Sequence, residues 1–111
     1  MEAITTYYSF NFSIWFDDKD KKIQIKSDWE ILDIIKRLTA KYLGFGTISK
    51  VNEWVYTYND WDIATEKSVN VNFKSQNFDK LLIRTYIENL KKQLNQENIL
   101  FSYTKENVEF L

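Results

Sequence analysis

From Tyr8 to Phe16 every second residue is large and apolar (Tyr8, Phe10, Phe12, Ile14, Phe16), with Ser9, Asn11, Ser13 and Trp15 standing between them. A period of two is the spacing of a strand with one buried face, because successive side chains leave a pleated backbone on opposite sides. The segment predicts a long strand, and its apolar face demands a second layer to cover it. Asp17-Asp18-Lys19-Asp20-Lys21 then reads as a turn. Beyond it Ile23 and Ile25 alternate with Lys22, Gln24 and Lys26, which predicts a second strand and an N-terminal hairpin.

The covering layer is supplied by two helical patterns. Ser27 and Glu30 are spaced as a capping box, which starts a helix at about Asp28. Its apolar stripe is Ile31, Leu32, Ile35, Leu38, Tyr42 and Leu43, and Gly44 is a natural stop. A second helix is expected from about Phe78 to Leu94, capped by Asn77 or Ser75. Between the helices, Thr47 to Tyr58 and Val69 to Lys74 read as strands, with a turn at Asn59-Asp60. Ile99, Phe101 and Tyr103 make a further strand, and Val108 to Leu111 a short last one after a turn at Lys105-Glu106-Asn107. The expected architecture is one α+β domain over residues 1–111, with two helices on one face of a mostly antiparallel sheet. Its order is ferredoxin-like, β-α-β-β-α-β, with an added N-terminal hairpin strand.

Composition narrows the chemistry. The chain has no histidine, cysteine or proline, yet it carries four Trp, seven Tyr and eight Phe. The side chains that most often serve as nucleophile, proton shuttle or transition-metal ligand are therefore missing, which argues against an enzyme. Net charge is −1, unlike the basic footprint of a nucleic-acid binder. No apolar run approaches the roughly 20 residues needed to cross a bilayer. Met1 to Ser9 lacks a basic segment followed by an apolar one, so no signal peptide is predicted and a cytoplasmic location is expected. Abundant Asn, Lys, Ile, Tyr and Phe with scarce Gly, Ala and Pro is the bias of AT-rich codons, and fits a phage or mobile element.

Motif readings give no cofactor and no metal. Asp17, Asp18 and Asp20 lack the central glycine and closing glutamate of an EF-hand and sit among lysines, so they read as a solvated turn. Gly44-Phe45-Gly46 with Ile48 resembles the centre of the RNA-recognition signature, but Leu43, Thr47 and Lys50 replace its required residues and the position in the fold is wrong. No phosphate-cradling glycine loop and no nucleophile elbow is present.

The candidate binding residues are Trp54, Tyr56 and Tyr58 on one strand face, with Asp60, Trp61 and Asp62 beyond the turn and Trp15 on the otherwise polar side of the first strand. A helix-covered sheet buries the larger apolar set of each strand, which favours core positions for Trp54, Tyr56 and Tyr58; otherwise they form an exposed patch rimmed by carboxylates. Trp and Tyr dominate interface hot spots, and carboxylates favour a basic partner. The functional expectation is a non-enzymatic protein-binding module, an immunity protein, antitoxin or inhibitor that occludes a protein partner. A homodimeric accessory module is the alternative, and a single-stranded nucleic-acid binder a weaker one.

Overall fold

The computed structural model describes residues 4–58 and 62–109. The strand built on the Tyr8–Phe16 alternation is β1 (Ile4–Trp15). It is followed by helix α1 (Asp28–Leu38), which runs into one π-helical turn (Thr39–Leu43). Then come β2 (Thr47–Ile48), β3 (Asn52–Tyr58), β4 (Asp62–Ser75), helix α2 (Lys80–Leu94) and β5 (Leu100–Glu109). Among the described residues the strands form one antiparallel sheet in the order β2-β4-β1-β5, with β3 extending the β2 side along β4. Taking β2 and β3 as one interrupted strand, the path is the ferredoxin-like β-α-β-β-α-β. The fold class is therefore as expected.

The added hairpin strand is not. Ile23 and Ile25 lie in an irregular loop and are exposed. The reason is pairing: β1 is already bonded along one edge to β4 and along the other to β5, so no edge is left for a hairpin partner. The first strand of the ferredoxin-like order is β1 itself. Two further boundaries move for the same reason. The pairing of β1 from Ile4↔Glu109 to Ser13↔Leu100 carries β5 straight through Lys105-Glu106-Asn107, where a turn was expected. Likewise β4 starts at Asp62 because β3 pairs with it from Asn52↔Ser68 to Tyr58↔Asp62. Among the described residues no helix is long and apolar enough to cross a membrane.

Register places the core. Phe10 faces Phe73, Phe12 faces Val71 and Ile14 faces Val69 across β1 and β4, and all six are buried. Ile31, Ile35 and Leu38 of α1 and Ile83, Tyr86, Leu90 and Leu94 of α2 close over them. The Tyr86 ring meets Phe12 edge-on at 5.0 Å, and its hydroxyl shares a 2.8 Å hydrogen bond with the Thr39 hydroxyl. Burial pushes the Tyr86 phenol up to about 12, against a lowering by the Thr39 bond. The helix ends follow local rules. The Ser27 hydroxyl accepts the Glu30 amide at 3.2 Å, and Asp79, rather than Asn77 or Ser75, caps α2 by accepting from Leu82 at 3.1 Å. The π-helical turn ends on Gly44, whose φ of 82° suits a residue without a Cβ.

The loop between β1 and α1 is tied down at both ends. Asp18 is buried, and its carboxylate accepts from the backbone amides of Asp20 and Lys21 at 3.0 Å each and from the Asn95 side-chain amide at 2.7 Å. Asn95 ends α2 in the left-handed conformation, and its amide also reaches Asp20. The side-chain amide of the next residue, Gln96, donates to the Asp17 carbonyl. At the far end of the loop Asp28 accepts from Gln24 and pairs with Lys67 of β4 at 3.1 Å. The Asn95 bond, then the Lys21 amide, hold the Asp18 carboxyl below the usual range.

Two measurements check this frame. Tyr86→Phe is expected to cost about 1 kcal/mol in urea unfolding, the value of one buried hydrogen bond. It should also flatten the alkaline limb of the stability curve, because a folded phenol near 12 against 10.0 unfolded gives stability that is lost as pH rises through that interval. Asp18 has the opposite sign. Its depressed folded pKa gives stability above the unfolded carboxyl value of about 3.9 that is lost as pH falls. Asp18→Asn should therefore lower stability at neutral pH and make acid unfolding less steep.

Candidate functional site

The face of the sheet away from the helices is polar over its centre. Asn72 donates to Ser9, Asn11 and the Phe10 carbonyl, and Ser13 donates to Asn70 at 2.7 Å. These bonds satisfy side chains that no second layer covers, and among the described residues no buried side-chain polar atom lacks a partner. At one end of this face the character changes. Trp15 pairs across from Ser68 and Trp54 across from Glu66, so alternation brings both indoles to the uncovered side. Their ring centroids lie 5.8 Å apart, and the Trp54 indole N–H donates to the Ser68 hydroxyl at 2.9 Å. Tyr56, opposite Ala64, stands on the same side.

The expectation of a buried Trp54 and Tyr56 is thereby corrected. They are 54% and 48% exposed, because β3 pairs with β4 at the margin of the sheet and these side chains stand on the face away from the helices. Val55, on the opposite side of β3, is exposed as well. Asp62 begins β4 and is exposed. Asp60, Trp61 and the side chain of Tyr58 lie outside the described residues.

Trp15 and Tyr56 line a groove of about 520 Å³ together with Asp17, Lys22, Glu66 and Leu100. A second groove of about 590 Å³ shares Asp17, Lys22 and Tyr56 and continues to Glu53, Ile63 and Lys67. These volumes fall in the usual range of about 300–1,000 Å³ for small-molecule sites. The acids that line the first groove do different work. Asp18 is spent on its turn, whereas Asp17 and Glu66 face the space. Burial raises the Asp17 carboxyl, and burial followed by the Asp17 charge raises Glu66. Two half-buried carboxyls that repel one another beside aromatic faces form a place for a cation.

Sequence reading reached Trp15, Trp54 and Tyr56 and missed Asp17, Lys22 and Glu66. Glu66 carried a usable signal: it keeps the parity of Ser68 and Asn70 if the β4 alternation is extended backwards. Asp17 and Lys22 carried none, since their placement depends on contacts with Asn95 and Gln96 some 75 and 79 residues away along the chain.

No protein-family model matches the sequence, and no curated protein matches it. The structure is similar to that of a phage SAM lyase in complex with S-methyl-5′-thioadenosine, at 14% identity over 94% of this chain and 90% of that chain, with a TM-score of 0.59. The same phage lyase without ligand gives 15% identity, 93% and 87% coverage and a TM-score of 0.56. At such identity the likeness is one of fold. It nevertheless corrects the expectation of a non-enzymatic inhibitor, immunity protein or antitoxin acting by occlusion, because nearly the whole chain takes an enzyme-related fold.

Proposed function

We propose that this chain binds a cationic sulfonium nucleoside, S-adenosylmethionine or a near analogue, in the Trp15–Tyr56–Glu66 groove, and cleaves a carbon–sulfur bond of it in the cytoplasm. The observation that carries the reading is the pairing of two raised carboxyls, Asp17 and Glu66, with the Trp15–Trp54 aromatic pair. A sulfonium is a fixed positive charge with apolar substituents, so it gains from ring faces and carboxylates together. An adenine ring gains from stacking on an indole. The fold shared with a phage SAM lyase supports the same ligand class.

The composition suits such chemistry. When a carbon–sulfur bond of a sulfonium breaks, the ligand's own α-carboxylate supplies the electron pair for a new carbon–oxygen bond at the carbon left behind, while the bonding electrons stay on sulfur, which departs as a neutral thioether. No side chain has to protonate it, so the missing histidine and cysteine are no obstacle. In this reading Trp15 and Tyr56 orient the nucleoside, with Trp54 packed behind Trp15, while Asp17 and Glu66 hold the sulfonium and keep water from competing for it.

Calorimetry with S-adenosylmethionine and with neutral methylthioadenosine tests the reading, and chromatography detects the thioether product. Trp15→Ala should weaken both ligands by about tenfold, the worth of one base–aromatic stack. Glu66→Gln should weaken only the cationic one, by about threefold to fivefold. The pH dependence has a definite sign. Both carboxyls are raised without ligand and would be lowered by a bound cation, so affinity for the sulfonium rises with pH through the carboxyl range and protons are released on binding. Methylthioadenosine should show no such rise. If neither ligand binds to the wild-type protein, the reading is wrong.

A further inference from the structure

Lys22 is the cation common to the two grooves, and the observations around it extend the proposed site from the sulfonium to the rest of the ligand. Its backbone has a φ of 60°, a left-handed conformation that lysine rarely adopts. The conformation is imposed by the Asp18 turn. The Lys22 amide donates to the Asp18 carbonyl at 2.8 Å, the Asp18 amide donates to the Ile23 carbonyl at 2.8 Å, and Asn95 clamps the Asp18 carboxylate from α2. The turn thus holds one residue with a raised carboxyl, Asp17, and one with an ammonium, Lys22, at the junction of the grooves. The neighbouring cation in the second groove, Lys67, is already paired with Asp28. Among the described residues neither Lys22 nor Lys19, the other lysine of the first groove, makes an ion pair, and of these two only Lys22 lines both grooves.

We infer that Lys22 is a specificity residue that reads the α-carboxylate of the ligand's amino-acid tail, so that the site takes zwitterionic sulfonium amino acids in preference to their decarboxylated counterparts. The inference rests on the sulfonium-binding reading. Charge makes the preference informative. A decarboxylated sulfonium carries one more net positive charge than the amino acid, and a groove lined by Asp17, Glu66 and Glu97 would favour the more cationic ligand. An ammonium that meets the carboxylate reverses that order. The turn contributes by holding the lysine backbone before the ligand arrives, which lessens the entropy lost on binding.

The test compares S-adenosylmethionine, decarboxylated S-adenosylmethionine and methylthioadenosine on the wild type, Lys22→Gln and Lys22→Gly. The wild type should bind the amino acid more tightly than the decarboxylated form. Lys22→Gln should weaken the amino acid by about threefold to fivefold, leave methylthioadenosine unchanged and reverse the preference. Lys22→Gly should show the same loss with an unfolding midpoint at or above wild type, because glycine relieves the left-handed backbone. That variant separates loss of the charge from loss of the turn. Equal affinity of the wild type for the two sulfonium ligands, or an unchanged preference in either variant, overturns the inference and leaves the sulfonium reading standing. Failure of all three ligands to bind overturns both.

Discussion

The rest of the structure depends on the double occupancy of β1. This strand must satisfy partners on both edges, β4 and β5, and a layer on one face, and each demand constrains a different neighbour. Pairing with β4 in the register Phe10↔Phe73 and Ile14↔Val69 sends both apolar rows to the helices together. A slip by one residue would bring Asn70 and Asn72 under α1 and α2 and leave valines in water, so the register is strongly specified. Burying the four side chains Phe10, Phe12, Ile14 and Phe16 is worth about 2 kcal/mol each before chain entropy is counted. The other face has no covering layer and needs none, since the Ser9–Asn72 and Ser13–Asn70 bonds keep it polar.

The site lies where that arrangement ends. After Trp15 the chain can no longer remain in the sheet, and Phe16 makes its last bond to the Lys67 carbonyl before turning. The turn is held from the far end of the chain, by Asn95 and Gln96 just beyond α2. The end of the central strand and the end of the second helix are therefore clamped together, and Asp17 is held between them. Such a site is built on the ends of regular elements, with one loop fixed by side-chain bonds. That placement gives its groups defined positions. The β3–β4 ribbon supplies the opposite wall, with Trp54 anchored through Ser68.

What could be read from the chain follows the range of the interactions. The alternation of β1, the Ser27 cap of α1 and the helix stripes are local patterns, and all of them recur in the structure. Ile23 and Ile25 show the limit of that reading. Their alternation is as regular as a strand's, yet both edges of β1 are taken by β4 and β5, segments far along the chain, which no local pattern reveals. The aromatic row Trp54–Tyr56 fails for a related reason. The rule that the larger apolar set is buried assumes a covering layer, and the ribbon that carries these residues has none on that side. The aromatic half of the candidate site was legible as residues, though with Trp54 and Tyr56 favoured as core, while its charged half depended on contacts that close only when α2 docks.

The charges themselves separate structure from function within two consecutive residues. Asp17 and Asp18 have the same side chain and are adjacent in sequence, yet their environments move them in opposite directions. Asp18 is surrounded by donors, so its charged form is preferred in the fold, and its stabilising contribution is present at neutral pH and lost in acid. Asp17 and Glu66 are deprived of water and, among the described residues, gain no side-chain hydrogen-bond donor in return, so each is easier to ionise in the unfolded chain. Their sign is reversed: the fold favours their neutral forms, and that advantage is lost as pH rises through the raised values. A carboxyl that stabilises its own fold has no electrostatic need of a ligand. A pair that destabilises it when charged gains most from a cation arriving beside aromatic faces, and carboxyls raised in this way recur at sites of chemistry. The same burial that costs stability in the free protein therefore becomes affinity in the bound one, and this links the fold of β1 to the sulfonium chemistry proposed for its end.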